Sequence, residues 1–289
     1  MNMDVKPFHR YWESLKTDLK NRGGEPKLPI DSLPSLNKKI WGLNDKLTII
    51  GARTSCGKTA LIMQLMISLL RAGKKVVYMG FEMTQKELME RMFSHIERID
   101  NFELLTGKVK DLDKKMESFE KYLENIQFLA TDNFGKNWKD INNFINELDN
   151  PPDVIVIDYI QAISQGGGEG KIFIDDYILN FRNMCLTKGF AGVILSQLNR
   201  NSQDRKDKTP QLHDFKGTGF LEEICDSAWL LDWPGRLNGE KEFVVHVAKN
   251  RGGKTGYINL HYEPKYHLFT DEVEPERSDA VQNPIHWAD

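Results

Sequence analysis

The chain has 289 residues, a formal net charge of −3, 40% hydrophobic residues and 28% charged residues. This length allows one large domain or two small ones, and the composition excludes disordered and fibrous proteins. The slight negative charge argues against a protein that coats nucleic acid or anionic lipid with its whole surface, although a local basic patch remains compatible with it.

Membrane spans, secretory signals and the spacing of the cysteines restrict the class of protein further. No stretch approaches 18 apolar residues, and residues 1–12 lack the apolar run of a secretory signal, so we expect a soluble protein with no membrane partner. Cys56, Cys185 and Cys225 lie far apart without a CxxC pair, which argues against disulfides and a structural zinc site. The sequence therefore predicts a reducing compartment.

The first 25 residues are expected to form a separate N-terminal segment. A helix is predicted over residues 8–22, and Gly23 ends it. Its helically spaced apolar residues are Phe8, Trp12, Leu15 and Leu19. An isolated helix of this length is marginal in water, so this apolar stripe must dock, either on its own domain or on a neighbouring subunit.

A domain over residues 26–269 alternates short β-rich runs with helical stretches. The predicted strands are Leu47–Gly51, Lys75–Phe81, Ile126–Ala130, Val154–Asp158, Gly192–Ser196, Ser227–Asp232, Phe243–Ala248 and Tyr257–Tyr262. The first five are apolar throughout, as is typical of parallel strands buried on both faces, and the last two are expected to form an antiparallel edge. The pattern predicts an α/β fold with a mostly parallel central sheet, flanking helices and a ligand site at the carboxyl ends of the strands. Residues 270–289 are predicted to be an acidic, partly flexible tail.

The strongest chemical pattern is GARTSCGKT, residues 51–59, between a predicted strand and the apolar helix Lys58–Arg71. The pattern GxxxxGK[ST] supplies backbone N–H groups for phosphates, a lysine for their charge and a hydroxyl for Mg²⁺. Ala52 replaces the first glycine, a mild departure because alanine is costly only at positive φ. The flanking strand and helix favour a nucleotide site over a chance match. The expected nucleotide contacts are Arg53, Thr54, Ser55, Cys56, Gly57, Lys58, Thr59 and Ala60.

Several further residues follow predicted strands, and most of them have a plainer alternative. Asp158 could hold Mg²⁺ opposite Thr59, or it could cap the next helix. Glu82 could orient an attacking water, or it could be a solvated carboxylate; Gln197, at a strand end, could sense the γ-phosphate. Cys56 could have a lowered pKa near a helix N-terminus, but a small filler residue is the favoured interpretation.

Two more cations are ambiguous from their local context alone. Lys249 and Arg251 lie in AKNRGGKTG, between a predicted strand and a glycine turn. They could stabilise phosphate charge, but the local sequence by itself favours a solvated turn. Two polar or glycine-rich stretches, residues 165–171 and 199–211, are predicted to be loops.

Together these segments resemble the DnaB family of replicative helicases, which have a RecA-like ATPase core. The resemblance covers about residues 36 to 263, in the family's order, and includes the Ala52 variant of the phosphate loop. The matching stretches are LNKKIWGLNDKLTIIGARTSCGKT, VVYMGFEMTQKELMERM, the region from Arg98 to Gly107, VIVIDYIQAI, VILSQLNR, DFKGTGFLEEICDSAWLL and AKNRGGKTGYINLHY.

The resemblance implies a role for individual residues of the ATP site. It implies that Lys58 and Thr59 bind phosphate and Mg²⁺, with Asp158 supporting the metal. Glu82 matches the catalytic glutamate and Gln197 the γ-phosphate sensor. The pair Lys249 and Arg251 matches the cations that are inserted into a neighbour's ATP site.

The resemblance also places single-stranded DNA in a central channel. The channel would be faced by residues 165–171, 199–208 and 214–219. Binding of single-stranded nucleic acid needs a positive groove. Here the positive charge would come from Lys171, Arg200, Arg205, Lys206, Lys208 and Lys216.

The family's helical N-terminal domain and a fused primase domain have no counterpart in this sequence, so a minimal, phage-type or mobile-element form is expected. The implied function is an ATP-driven 5′→3′ DNA helicase that forms a ring, as a hexamer, in the cytoplasm of a bacterial or phage-infected cell, with a primase and a helicase loader as possible partners. Two alternatives stay open: a RecA-like recombinase or loader ATPase that binds DNA without unwinding it, and a regulatory P-loop ATPase.

Overall fold

The computed structural model describes residues 8–21, 23–43, 46–124, 126–131, 138–148, 150–163, 170–199, 205, 207–215 and 219–271. The strands in this part of the chain are β1 Leu47–Ala52, β2 Lys75–Gly80, β3 Gln127–Thr131, β4 Val154–Asp158, β5 Ala191–Gln197, β6 Ser227–Asp232, β7 Glu242–Asn250, β8 Gly256–Glu263 and β9 Leu268–Asp271. The helices are α1 Phe8–Asn21, α2 Pro34–Ile40, α3 Lys58–Arg71, α4 Gln85–Glu97, α5 Asn101–Thr106, α6 Leu112–Glu124, α7 Trp138–Glu147, α8 Ile160–Ile163, α9 Gly170–Lys188 and α10 Phe220–Ile224.

All described strands belong to one sheet, in the order β3-β2-β4-β5-β1-β6-β7-β8-β9. The strands from β3 to β6 in this order are parallel, and β7, β8 and β9 are antiparallel. The eight predicted strands are confirmed, with ends that differ by at most two residues. The predicted α/β fold, with a mostly parallel sheet and an antiparallel edge, is therefore confirmed.

Helices cover both faces of the parallel strands, which explains why these strands are apolar throughout. Successive residues of β1 point to opposite faces: Ile49 belongs to a buried cluster with residues of α7, α9 and α10, whereas Ile50 belongs to a second cluster with residues of α3, α4 and α6. Helix α3 is buried along most of its length, as its all-round apolar sequence predicts.

The parallel strands end at a common edge of the sheet, which we call the carboxyl edge. Ala52 pairs with Gln197 across β1 and β5, and Gly80 pairs with Asp158 across β2 and β4. The connection after β1 runs towards β2, while the chain after β5 runs towards β6 on the other side. Such a divergence is the usual ligand site of an open α/β sheet.

Strand β9 was not predicted, and it extends the sheet past the expected domain boundary at residue 269. The Gln64 side chain of α3 exchanges two 2.8 Å hydrogen bonds with the backbone of Phe269, and the Asp271 carboxylate accepts from the Ser35 backbone N–H at 2.9 Å. These bonds order Thr270 and Asp271, which the sequence assigned to the tail. Residues 272–289, the rest of the predicted tail, lie outside the described residues.

The predicted N-terminal helix is present as α1, but its stripe is not buried on its own chain. The side chains of Trp12, Leu15 and Leu19 are 41% to 52% exposed. The side chain of Phe8 lies outside the described part of the chain. Docking on its own domain, the first of the two alternatives, is therefore wrong for the three described residues.

None of the described helices is both long and apolar enough to cross a membrane.

Candidate functional site

The predicted phosphate loop lies between β1 and α3, at the carboxyl edge. Gly57 has a φ of 68°, and a Cβ there would lie 3.2 Å from the Phe243 ring and 3.3 Å from the Phe269 ring. The positive φ thus favours glycine, and a Cβ would also press against both rings. Ala52 lies in β1 without a positive φ, so its replacement of the first glycine costs nothing in conformation. No described side chain caps α3, whose first N–H groups therefore face the loop as donors for an anion.

The other loop residues take several environments. Thr54 and Ser55 are exposed, and Ala60 is buried. Arg53 donates to the Asp232 carboxylate at 3.0 Å and to the backbone carbonyl of Lys208, so it ties the loop to the end of β6 and to the segment 207–211.

Cys56 is a buried filler residue. Burial raises the pKa of its thiol to about 12, and the nearby Asp232 charge adds to this rise. Burial therefore favours the filler residue over the alternative of a lowered pKa at the helix N-terminus.

Lys58 occupies the first position of α3 with only 8% of its surface exposed. Its Nζ lies 4.8 Å from the centre of the Tyr159 ring. Burial lowers the pKa of the Lys58 ammonium, while the negative charges of Asp158 and Glu82 oppose that shift. The ammonium is thus held among carboxylates with little water to solvate it, a setting in which anionic phosphates would find a poorly solvated positive charge.

Asp158 ends β4 and is almost fully buried, directly beside the phosphate loop. Its Oδ2 accepts hydrogen bonds from the Thr59 hydroxyl at 2.9 Å and from the Tyr78 hydroxyl at 2.8 Å. Its Oδ1 is buried and has no partner among the described residues. Asp158 is therefore not a helix cap. A free carboxylate oxygen next to a threonine hydroxyl is a donor set that fits Mg²⁺.

Glu82 and Gln197 lie at the same edge, after β2 and at the end of β5. The Phe81 N–H donates to the Asp158 carbonyl at 2.8 Å, which places Glu82 next to the end of β4. Glu82 is exposed, and its charge opposes the lowering of the Lys58 pKa and adds to the rise that burial causes in the Tyr159 pKa. The structure therefore brings together the residues that the sequence predicted for phosphate, metal and water at one end of four parallel strands.

Two residues of this site were missed in the sequence. Tyr159 lies against Lys58 and forms a side-chain hydrogen bond with Gln197, and burial raises the pKa of its hydroxyl. Tyr78 holds Asp158 from β2, and burial, followed by the Asp158 charge, raises its pKa well above the usual value. The available signal was a phenolic hydroxyl within an apolar strand run, or directly after one, where a buried hydroxyl needs a partner.

Lys249 and Arg251 lie at the opposite edge of the sheet. Lys249 pairs with Ala228 near the start of β6, whereas the phosphate loop follows Ala52, which pairs with Leu231 near its end. The Arg251 N–H donates to the Asp226 carbonyl. From Asp226 to Leu231 a strand rises about 16 Å, so these cations do not meet the phosphate loop of their own chain.

The predicted DNA residues are only partly described. Arg200, Lys206 and Lys216 lie outside the described residues, as does the side chain of Lys171. Lys208 is exposed. Arg205 forms a 2.6 Å ion pair with the buried carboxylate of Asp214 while its own side chain stays 28% exposed, so part of its charge is used internally and its contact with DNA stays a prediction.

Comparison with known proteins identifies the family. The sequence matches the family described as DnaB-like helicase C terminal domain over residues 31–271. It is 29% identical over 231 residues to a "Probable plasmid replicative DNA helicase" of Chlamydia trachomatis, covering 77% of this chain and 50% of that protein. It is 26% identical over 266 residues to "Replicative DNA helicase DnaB" of Geobacillus stearothermophilus, covering 88% of this chain and 58% of that protein. The chain thus spans about half the length of these relatives.

Solved structures agree with the predicted fold. One, described as an ATPase domain, superposes with a TM-score of 0.84 at 21% identity, covering 93% of this chain and all of that one. "The Structure Of A DnaB-Like Replicative Helicase And Its Interactions With Primase" gives a TM-score of 0.82 at 20% identity, with 91% of this chain and 68% of that one covered. The predicted RecA-like ATPase fold is confirmed. Because the family match covers most of the sequence, the chain belongs to the family of DnaB-like helicase C-terminal domains.

Proposed function

We propose that this chain is an ATP-hydrolysing motor that assembles into a ring, as a hexamer, and translocates 5′→3′ on single-stranded DNA to unwind duplex during replication. The observation that carries the proposal is the pairing of Thr59 with Asp158 at 2.9 Å beneath the phosphate loop, with the second Asp158 oxygen left unpartnered among the described atoms. A hydroxyl and a free carboxylate oxygen at the start of a phosphate-binding helix are what a nucleotide with its metal requires. Family membership connects this chemistry to DNA.

The residues of the carboxyl edge divide the work of binding. The N–H groups at the start of α3 and the Lys58 ammonium receive the phosphates, and Thr59 with Asp158 would hold Mg²⁺. When bound, Mg²⁺ neutralises negative charge on the phosphate oxygens. Tyr78 fixes the Asp158 carboxylate by its 2.8 Å hydrogen bond, which leaves Oδ1 as the oxygen for the metal.

Glu82 and Gln197 are assigned to the hydrolysis step. Glu82 is a solvent-exposed carboxylate near Lys58, so it is placed to accept a proton from, and orient, an attacking water. Gln197 reaches Tyr159, which lies over Lys58, and this chain of contacts would let it respond to the γ-phosphate.

Lys249 and Arg251 are assigned to the ATP site of a neighbouring subunit. Their position at the far edge of the sheet excludes their own site, and the Arg251 side chain is 52% exposed. A guanidinium is permanently charged and matches the oxygens of a phosphoryl group in transfer. A site that needs both edges is complete only between two copies.

Two exposed apolar surfaces support assembly of several copies. One is the stripe on α1, and the other is on α5, where Phe102 is 68% and Leu105 is 83% exposed. Large apolar side chains in clusters on the surface mark interaction sites. We propose that the α1 stripe of one copy docks on a neighbouring copy, with the α5 surface as its acceptor.

Single-stranded DNA is proposed to pass along the segments after β4 and β5. Among the described residues Lys208 is exposed there, and its backbone is bonded to Arg53 of the phosphate loop. A primase partner is supported by one of the similar solved structures, a DnaB-like replicative helicase described together with its interactions with primase. A helicase loader is proposed from the family resemblance alone.

The test combines three measurements on the purified chain. ATP turnover should rise when single-stranded DNA is added, a forked duplex should be unwound, and the mass with ATP and Mg²⁺ should be that of a ring. DNA-stimulated turnover without unwinding would favour a recombinase or loader, and turnover that ignores DNA would favour a regulatory ATPase. Lys58→Ala is the control that must abolish every ATP-dependent signal.

The in-trans assignment has its own test. Lys58→Ala and Arg251→Ala proteins are each expected to be nearly inactive. When they are mixed, some interfaces pair an intact phosphate loop with an intact Arg251, and part of the activity should return. Proteins that co-assemble and recover nothing would remove the assignment.

A further inference from the structure

Both cations at the far edge are hydrogen-bonded to one short segment, residues 222–226, at the end of α10 and before β6. Lys249 Nζ donates to the carbonyl oxygens of Glu222 at 2.6 Å and Glu223 at 3.0 Å. Arg251 donates from Nη2 to the Glu223 carbonyl at 3.2 Å and from Nη1 to Asp226 Oδ1 at 3.4 Å. One residue near the end of β7 and one just after it therefore share a single anchor.

The anchor is itself rigidly held. Asp226 is almost fully buried, and Arg182 of α9 binds both of its carboxylate oxygens, with Nε at 3.2 Å and Nη2 at 3.3 Å. The backbone N–H of Asp226 donates to Leu47 at the start of β1, and its carbonyl accepts from the Arg251 N–H at 2.8 Å. Through Asp226, the sheet and α9 fix the point from which Arg251 extends.

The hold on Arg251 is directional but weak. Its side chain is half exposed and its contact with Asp226 is 3.4 Å long, whereas Arg182 is less exposed and its contacts measure 3.2 and 3.3 Å. A group that stabilises a transition state is most effective when it is held in place beforehand. A loosely held but oriented guanidinium could turn to an incoming phosphate without a long search.

We propose that Asp226 is a positioning residue for Arg251, and that it and the C-terminal carbonyls of α10 orient both cations towards the ATP site of the neighbouring copy. This inference rests on the proposed in-trans function. The plain structural alternative is that Lys249 and Arg251 only cap the carbonyls at the end of α10 and neutralise a buried carboxylate. The two interpretations differ in what a change of Asp226 affects. The positioning role predicts a loss of kcat, whereas the structural alternative predicts a loss of stability.

The first experiment compares Asp226→Asn with Arg182→Gln. Asparagine keeps the size of Asp226 but removes its charge, so the guanidinium loses direction; we expect kcat for ATP to fall about 10- to 10²-fold with KM nearly unchanged. Arg182→Gln removes the other partner of the same carboxylate and leaves the Arg251 contact, so it should lower the melting temperature but keep kcat within about twofold. Equal losses of kcat in both variants, or wild-type kcat in Asp226→Asn, would overturn the proposal.

Mixed rings then locate the defect. Asp226→Asn has an intact phosphate loop, so Lys58→Ala, which supplies an intact Arg251, should restore part of its activity. Arg251→Ala supplies no guanidinium, so it should restore none. Recovery with Arg251→Ala would place the defect of Asp226→Asn elsewhere and overturn the proposal. The reference mixture of Lys58→Ala with Arg251→Ala reports separately on the in-trans function, because its failure to recover removes that function first.

A second variant protects the test against misfolding. Should Asp226→Asn melt below the assay temperature, Asp226→Glu keeps the charge for Arg182 but moves it by one methylene, and it is expected to show the same mixing pattern with a smaller loss of kcat. Wild-type turnover in a folded Asp226→Glu, or its recovery with Arg251→Ala, would overturn the proposal as well.

Discussion

The two edges of the parallel sheet differ in how complete they are within one chain. At the carboxyl edge, Asp158 already accepts hydrogen bonds from Thr59 and Tyr78, and Lys58 lies beside them in a buried position. At the opposite edge, Lys249 and Arg251 bind the end of α10 and Asp226. Under the proposed function, the first edge binds the nucleotide within one chain, whereas the second edge supplies positive charge to a site on another copy. A site divided in this way ties chemistry to assembly.

The substitution with the largest expected effect at the carboxyl edge is Lys58→Ala. We expect ATP turnover to fall to background, because Lys58 is the loop cation that interacts with both Asp158 and Glu82. Turnover measured by phosphate release decides the point. Lys86→Ala, which removes a highly exposed lysine of α4, is the matched control and should keep full activity. Retained activity in Lys58→Ala would remove the nucleotide site itself.

The corresponding substitution at the opposite edge is Arg251→Ala. Arginines that act in trans are typically worth about 10³- to 10⁵-fold in rate, so a loss of this size is expected, with ATP binding retained. Arg251→Lys keeps the charge without the forked donors and should give an intermediate rate. Steady-state turnover and nucleotide binding should be measured on the same preparations. Full activity in Arg251→Ala would show that Arg251 is only part of a solvated turn. The proposed difference between the two edges would then be lost.

Glu82→Gln separates binding from hydrolysis at the carboxyl edge. Glutamine cannot accept the proton of the attacking water, so hydrolysis should slow at least about 10²-fold while ATP still binds. Single-turnover kinetics measure the chemical step directly. Glu90→Gln, on an exposed face of α4, is the control with no expected effect. Unchanged hydrolysis in Glu82→Gln would make Glu82 a surface carboxylate.

Removal of residues 1–24 tests whether the division of the site depends on α1. If the exposed stripe docks on a neighbour, the truncated chain should shift towards monomers at a given concentration while its melting temperature changes little. Sedimentation with ATP and Mg²⁺ gives the distribution of species. Leu15→Ser together with Leu19→Ser should produce a weaker shift. Rings that form unchanged without residues 1–24 would show that α1 does not carry assembly.

The smallest expected effect concerns DNA. Lys208→Ala should reduce the slope of log affinity against log salt by about 1, because one phosphate contact is lost. Arg205→Ala should behave differently: it leaves the buried Asp214 carboxylate unpaired, so it should destabilise the protein rather than act on the salt slope alone. Binding of labelled single-stranded DNA at several salt concentrations distinguishes the Lys208→Ala variant from the Arg205→Ala variant. An unchanged slope in Lys208→Ala would take Lys208 out of the DNA path.

The sequence predicts the parallel half of the fold well because burial on both faces leaves a simple signature, continuous apolar runs such as Val154–Asp158. It missed β9, a four-residue strand that pairs with β8 and whose Phe269 backbone is bonded to Gln64, a residue more than 200 positions away in the chain. Local sequence carries no trace of such a bond.

The candidate site shows the same division. GARTSCGKT is recognisable locally, because loop, lysine and hydroxyl are consecutive. The hydrogen bonds of Asp158 with Thr59 and Tyr78 depend on the order of β1, β2 and β4 in the sheet, which periodicity does not reveal. The ambiguity of Lys249 and Arg251 has the same origin: their distance from the phosphate loop follows from the antiparallel direction of β7.

The reversal of direction between β6 and β7 also sets a stoichiometry. It places the phosphate loop and the two cations at opposite edges of the sheet, so the in-trans proposal requires head-to-tail contacts between copies. Under the in-trans proposal, a single chain has no complete site, an open row of copies has one fewer complete site than it has copies, and a closed ring has as many sites as copies. ATP turnover per chain would then rise with protein concentration and level off only when the rings close. Turnover per chain would therefore report whether the rings are closed.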